Sequence, residues 1–309
     1  LLIDFTENGS SSQGNPVMEA NPGGAPCNVL AMLSKLGRRT GFIGKVGDDM
    51  FGRKLKTTLE EVGIDTSNLC VDADCRTTLA FVETKPDGDR DFSFYRNPGA
   101  DMQLKKSDIH KELPEHTKIF HFGTLSMTHK EVREATRYAV ELARSKGTVI
   151  SFDPNIREPL WDSMETARTQ VEYGLSVCDI LKISDNEIRW FTGEQDYDKG
   201  VAKIREKYPV SLIFVSMGKE GSRAYYKGMA VEKPAFLQKE TIETTGAGDT
   251  FMGCVLHKVL QKGLEYLTEK DMQEMLEFAN AAASIITTRK GALRVMPNEK
   301  EILALLGYK

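Results

Sequence analysis

Gly246-Ala247-Gly248-Asp249, inside Thr244-Thr245-Gly246-Ala247-Gly248-Asp249-Thr250-Phe251, brings two kinds of chemistry into one short stretch. Two glycines around an alanine leave little side chain in the way, so backbone N–H groups can converge on an anion. Phe251, Val255, Leu256, Val259 and Leu260 follow at helical spacing, which predicts a helix whose positive N-terminal end is this turn. A phosphate group suits that place. Asp249 adds a carboxylate beside it, useful there as a base that takes a proton from the group attacking phosphorus. The same spacing also suits a plain turn with Asp249 capping a helix, and a short glycine motif does not decide between the two.

Other residues of this kind recur just after segments that read as strands. Leu1-Leu2-Ile3-Asp4-Phe5 reads as the end of a strand entered part-way, with Asp4 at its carboxyl end. Thr6 to Asn21 is polar and carries only Val17 and Met18 as a strand signal. Pro22-Gly23-Gly24-Ala25-Pro26-Cys27-Asn28 then opens a helix through Val29, Leu30, Leu33 and Leu36 that stops at Gly37. Asn28 falls in its first turns, where it could meet hydroxyl groups or satisfy its own helix end. Thr40 to Val46 is strand-like, and Gly47-Asp48-Asp49 leads into a helix closing at Gly63. Further along, the strand 119–122, the helix 131–146 and the strand 149–152 lead to Asp153-Pro154-Asn155-Ile156-Arg157. The helix opened by Ser184-Asp185-Asn186-Glu187 and the strand 212–215 ending in Ser216-Met217-Gly218-Lys219-Glu220-Gly221 complete the series. This alternation predicts an α/β fold, a three-layer, doubly wound, mostly parallel sheet, in which the polar groups share one edge as a composite site.

Between Val71 and Asp101 the period changes to two. Segments 77–84 and 90–96 read as a hairpin joined by Lys85-Pro86-Asp87-Gly88-Asp89, with Leu79, Phe81, Phe92 and Phe94 on one face and Ala80, Val82 and Tyr95 on the other. A two-stranded hairpin wet on both faces is too small to be stable, so it is expected to cover a ligand on one side and to meet another surface, such as a second copy in a homodimer, on the other. The expected division is a core of residues 1–9, 23–69 and 101–309, with a β lid of residues 10–22 and 70–100.

The 309 residues, 40% hydrophobic, suffice for one large domain. A net charge of −4 without a basic, aromatic-interleaved patch excludes a nucleic-acid surface. Five scattered cysteines without a C-x-x-C pair read as reduced, and five histidines without H-x-H or H-E-x-x-H spacing offer no transition-metal site. With no signal segment ahead of Leu1 and no membrane-spanning run, the expectation is a soluble cytoplasmic protein with no membrane partner. Walker-type, protein-kinase and dinucleotide-binding motifs are all missing.

Gly23-Gly24 with Asn28, Gly47-Asp48-Asp49-x-Phe51-Gly52 and Thr245-Gly246-Ala247-Gly248-Asp249 resemble the two signatures of the ribokinase-like (PfkB) carbohydrate kinases, in the right order and over nearly the whole chain. Within that family, Leu2-Ile3-Asp4-Phe5, Phe94 to Met102 and Asp153-Pro154-Asn155-Ile156-Arg157 with Leu160-Trp161 most resemble fructokinases. The last segment also resembles 2-keto-3-deoxygluconate kinases.

The resemblance implies a sugar substrate, ATP and Mg2+. It makes Asp249 the base acting on a sugar hydroxyl, the 6-hydroxyl if the sugar is fructose, and gives the N–H groups of Gly246, Ala247 and Gly248 to the γ-phosphoryl group. It puts Asp4, Gly24, Asn28, Arg96 and Arg157 on the sugar. Ser184 and Glu187 stand where the family has N-x-x-E, with Glu187 ordering magnesium through water. Ser216, Gly218 and Gly221 would meet the nucleotide, and Asn280 falls at the adenine pocket. Glu243, Thr245 and Gly291 belong to a loop that holds a monovalent cation, K+ among them, in some members; Glu243 replaces the usual Asp there. A catalytically silent sugar-sensing protein on the same fold is the alternative of another class.

Overall fold

The computed structural model describes residues 1–84 and 90–308, and the 85–89 turn lies outside them. In chain order the elements are β1 (Leu2–Ser10), β2 (Pro16–Gly23), α1 (Ala25–Lys35), β3 (Thr40–Gly47), α2 (Met50–Glu61), β4 (Ile64–Asp72), β5 (Leu79–Thr84), β6 (Arg90–Tyr95), α3 (Glu112–His116), β7 (Ile119–Gly123), α4 (Lys130–Ser145) and β8 (Val149–Asp153). They continue with α5 (Met164–Val177), β9 (Ile180–Ser184), α6 (Asp185–Thr192), α7 (Tyr197–Lys207), β10 (Leu212–Ser216), β11 (Ser222–Tyr226), β12 (Met229–Lys233), α8 (Ala247–Lys262), α9 (Glu269–Ile286) and α10 (Glu299–Leu305).

The largest sheet has the order β12-β11-β10-β9-β8-β7, parallel from β7 to β10 and antiparallel at β11 and β12. Its central parallel strands β8, β9 and β10 are buried on both faces, as a sheet covered by helices on each side requires. Ile180, Leu212 and Phe214 point to a core shared with α1, α8 and α9. The alternate residues Leu181, Ile183, Ile213 and Val215 point to a second core shared with α5, α6 and α7. Helix, sheet and helix therefore form three layers, as the alternation predicts. A separate parallel pair, β3 with β4, carries the Gly47-Asp48-Asp49 stretch at its end.

A smaller sheet has the order β2-β1-β5-β6. β1 runs for nine residues and β2 for eight, so the strand read as far as Phe5 continues to Ser10 and the signal at Val17 and Met18 extends through polar residues to Gly23. Asp4 is consequently the third residue of β1, opposite Asn21 of β2, and not at a strand's carboxyl end. Strand β1, expected with the core, runs in this sheet between β2 and β5. The register also corrects the hairpin faces. Ala80 lies opposite Phe94 and Val82 opposite Phe92, whereas Leu79 lies opposite Tyr95, and cross-strand partners share a face. Phe5 stacks on Phe81 with centroids 4.9 Å apart, and Phe51 of α2 meets Phe5 edge-on at 5.7 Å. The aromatic face is thus partly covered from within the chain, leaving Tyr95 exposed at its margin.

Asp49 explains why the chain keeps its acidic turn. Its Oδ1 accepts from the N–H groups of Phe51 and Gly52, capping α2, and its two oxygens also accept from the hydroxyl and N–H of Thr77, just before β5. One carboxylate therefore fastens the small sheet to the core. Burial works against it, but these four donors hold its pKa below the ordinary carboxylate value. Among the described residues no helix is long and apolar enough to cross a membrane.

Candidate active site

Helix α8 begins at Gly246, which holds φ 77°, and the N–H of Thr250 makes the first intrahelical bond, to the Gly246 carbonyl. The N–H groups at the start of such a helix have no intrahelical acceptor. That of Ala247 turns back to the Thr244 carbonyl at 3.2 Å, so the turn itself engages one of the three donors expected to face an anion.

Asp249 sits in the first turn of α8 and meets α1. Asn28 Nδ2 donates to Asp249 Oδ2 at 2.8 Å. The two helices can approach because Gly253, one turn beyond Asp249, has no side chain: a Cβ there would stand 2.6 Å from Met32 Cβ and 3.0 Å from the Val29 carbonyl. Burial raises the pKa of Asp249, while Asn28, Lys182 and Arg157 oppose it. A carboxylate kept less acidic than usual is a better proton acceptor at neutral pH. Asn28 Oδ1 is buried without a partner of its own. Asp4 closes this end of the site, its carboxylate lying over Gly23, where a Cβ would be 2.5 Å away, beside the left-handed Gly24 that caps α1.

The floor of the site contains a group that motif reasoning passes over. Lys182 of β9 donates to Asp153 Oδ2, at the end of β8, at 2.9 Å, and both side chains are buried. Burial works to lower the Lys182 pKa, but the carboxylates of Asp153, Glu187 and Asp249 outweigh it and raise the value. Burial pushes the Asp153 carboxyl up to about 7, with Lys182 opposing and Glu187 and Asp249 adding to the shift. A single lysine inside the otherwise apolar Ile180-Leu181-Lys182-Ile183 was the signal available in the sequence.

Glu187 is fixed from three directions. Its Oε1 accepts from the Ile156 N–H at 2.8 Å, and Oε2 accepts from both the N–H and the hydroxyl of Ser184 in a capping box. Two of the residues expected to face ligands are engaged by the protein itself. Arg96 donates to Asp101, Thr128 and the Leu125 carbonyl, and is almost fully buried, because Asp101 needs a compensating charge. Asn280 accepts from the Ser222 hydroxyl and donates to the carbonyls of Lys233 and Pro234, so its amide ties the segment after β12 to α9. Ser216 ends β10, and Gly218 and Gly221 follow with φ 55° and 116°.

Glu243, Thr245 and Gly291 do come together, in a pocket of about 20 Å3 whose wall also includes Asp4, Asn21 and Val82 of the small sheet. Glu243 Oε1 accepts from the Gly291 N–H at 2.8 Å. A cavity of about 1060 Å3 bounded by α1, β3, β7 and α4 includes Gly24 and Arg96 in its wall but none of residues 243–249.

The pfkB family carbohydrate kinase profile matches residues 2–299. The chain belongs to this family. As a pfkB carbohydrate kinase it is a phosphotransferase, and its relatives are similar over nearly their whole length. It is 39% identical over 308 residues to fructokinase-1 of Zea mays, covering 99% of this chain and 95% of that one, and 38% identical over 308 residues to fructokinase-2 of Solanum lycopersicum, covering 99% and 94%. Among solved structures, fructokinase from Xylella fastidiosa with bound ATP superposes with a TM-score of 0.89 at 28% identity, covering 99% and 95%. Fructokinase from Vibrio cholerae O395 in its fructose, ADP and calcium ion bound form gives 0.88 at 28%, covering 99% and 96%. The ribokinase-like architecture is shared with these carbohydrate kinases.

Proposed function

We propose that this kinase transfers the γ-phosphoryl group of ATP to the 6-hydroxyl of fructose. The observation that carries the mechanism is the Asp249 carboxylate, held by Asn28 at the N-terminus of α8 with its pKa raised. The sugar oxygen attacks phosphorus as Asp249 takes its proton. The P–O bond to ADP breaks and the leaving oxygen carries the electron pair away. N–H groups of Gly246 and Gly248 at the helix start face the charge that develops on the phosphoryl oxygens. Asp4, Gly24 and Asn28 hold the sugar, with Arg157 near the base. Ser216, Gly218 and Gly221 line the nucleotide side.

The donor set suits a divalent ion carried in on ATP. Among the described residues no three His, Cys, Asp or Glu side chains cluster as a metal cage, and magnesium delivered by phosphates needs none. Glu187 is oriented and surrounded by carboxylates in excess of cations, which fits it to hold such an ion through water. When bound, magnesium neutralises charge on the phosphates. The Xylella and Vibrio enzymes, with ATP in one and fructose and ADP in the other, support the choice of substrates.

The small sheet is the lid over the sugar, since its Asp4 side and the Glu243 to Gly291 loops line one pocket. Engagement of Arg96 by Asp101 removes a cation that a keto-acid substrate would want. The test is ATP-dependent phosphorylation of fructose against 2-keto-3-deoxygluconate. Turnover preferring the keto acid overturns the substrate, and sugar binding without turnover restores the silent binding protein.

A further inference from the structure

We infer that Lys182 is a further catalytic residue, its ammonium meeting the transferring phosphoryl group from beneath Gly248, and that Asp153 is the positioning residue that aims it. The inference rests on the kinase reading of the α8 turn.

Lys182 comes up from the third position of β9 and reaches the start of α8. A Cβ on Gly248 would stand only 3.1 Å from Lys182 Nζ, so the glycine leaves the ammonium in contact with the turn that faces the anion. No other cation is buried among the carboxylates of Asp153, Glu187 and Asp249 in the described residues, for Arg157 acts on Asp249 from a half-buried position. Without Lys182 three carboxylates would confront an incoming phosphate. An ammonium has three N–H donors, and Asp153 takes one at 2.9 Å. Asp153 Oδ1 is itself buried without a hydrogen-bond partner. A pair kept only for packing would be expected to satisfy that oxygen, because an unsatisfied buried acceptor is costly. In phosphoryl transfer the charge spreads over the phosphoryl oxygens, and a fixed cation in a dry site stabilises it strongly.

Three variants separate this role from a structural one. Lys182→Met should lower kcat by about 10²- to 10³-fold, the loss seen when one preorganised donor is removed, with the sugar KM within about threefold of the parent. Removing one partner of a buried pair destabilises a fold, whereas replacing both with apolar residues often does not. The double variant Lys182→Met/Asp153→Leu is therefore expected to melt with the parent protein and still to turn over as slowly as Lys182→Met. Asp153→Asn keeps the shape and loosens the aim, lowering kcat while leaving ATP-analogue affinity near that of the parent.

Calorimetry with ADP and with a non-hydrolysable ATP analogue bearing an intact γ-phosphoryl group supplies a readout that needs no turnover. Loss of Lys182 should weaken the analogue about tenfold relative to ADP, the effect of one charge-assisted contact. An unchanged ratio of the two affinities, or a double variant with parental kcat, overturns the proposal. Should the parent phosphorylate no sugar while the ratio still depends on Lys182, the proposed substrate falls and the contact stands.

Discussion

Asp249→Asn removes the proposed base and little else. Asn28 Nδ2 now donates to a carboxylate at 2.8 Å, and the oxygen of the substituted amide can accept the same bond. The bond weakens from one made to a charged acceptor to a neutral one, a loss of about 1 kcal/mol. Against this, the substitution eliminates a carboxylate whose charged form burial disfavours. A group with a raised folded-state pKa destabilises the fold once the pH exceeds its unfolded value, so neutralising it offsets the weaker bond. The melting temperature is therefore expected to stay within about 3 °C of the parent. Turnover should nevertheless fall roughly 10²- to 10⁴-fold, the usual worth of a positioned base. Initial-rate assays should show the loss in kcat, with the sugar KM little changed. In the parent, kcat/KM should decline on the acid side through an apparent pKa above the ordinary aspartate value of about 3.9, and that limb should vanish in the variant. Near-parental turnover, or an acid limb that survives the substitution, refutes the reasoning.

Asp49→Ala should cost about 2 kcal/mol in urea unfolding, at the upper end for a helix cap because the same carboxylate also holds Thr77. Arg96→Ala leaves Asp101 without its guanidinium partner and should destabilise by about 3 kcal/mol; a raised sugar KM with unchanged stability would make Arg96 a sugar ligand after all. Burial opposes the Asp101 charge, but Arg96 and Thr78 lower its pKa, so this contribution is in place at neutral pH and is lost as the pH falls through that lowered value. Replacing Na+ by K+ at constant ionic strength should change kcat less than about twofold, since Glu243 already bonds to the Gly291 N–H; strong activation by K+ would show that the loop takes a cation.

What could be read from the sequence depended on whether a residue's role was local. The helix start at Gly246 and the capping box of Ser184 with Glu187 are set by neighbours in the chain, and their spacing shows it. β1 is legible only as far as Phe5 and β2 only at Val17 and Met18, because backbone bonding between them does not require apolar alternation, and Thr6 to Asn21 has little. The hairpin faces were misassigned because a register is fixed only once both strands are paired. Arg96 and Asn280 look available in sequence; what occupies them, Asp101 and the carbonyls of Lys233 and Pro234, is known only from the fold. Lys182 shows the converse, a charge inside an apolar strand that meets its carboxylates only when β8, β9 and α8 converge.

The central claim is that this site phosphorylates fructose with Asp249 as base. ATP-dependent phosphorylation of fructose, glucose, mannose, ribose and 2-keto-3-deoxygluconate in the presence of magnesium, with parent and Asp249→Asn side by side, tests it most directly. The account predicts preference for fructose, with fructose 6-phosphate as product, and loss of that turnover in the variant. Equal rates for parent and variant, or phosphorylation of another sugar in preference to fructose, would contradict it.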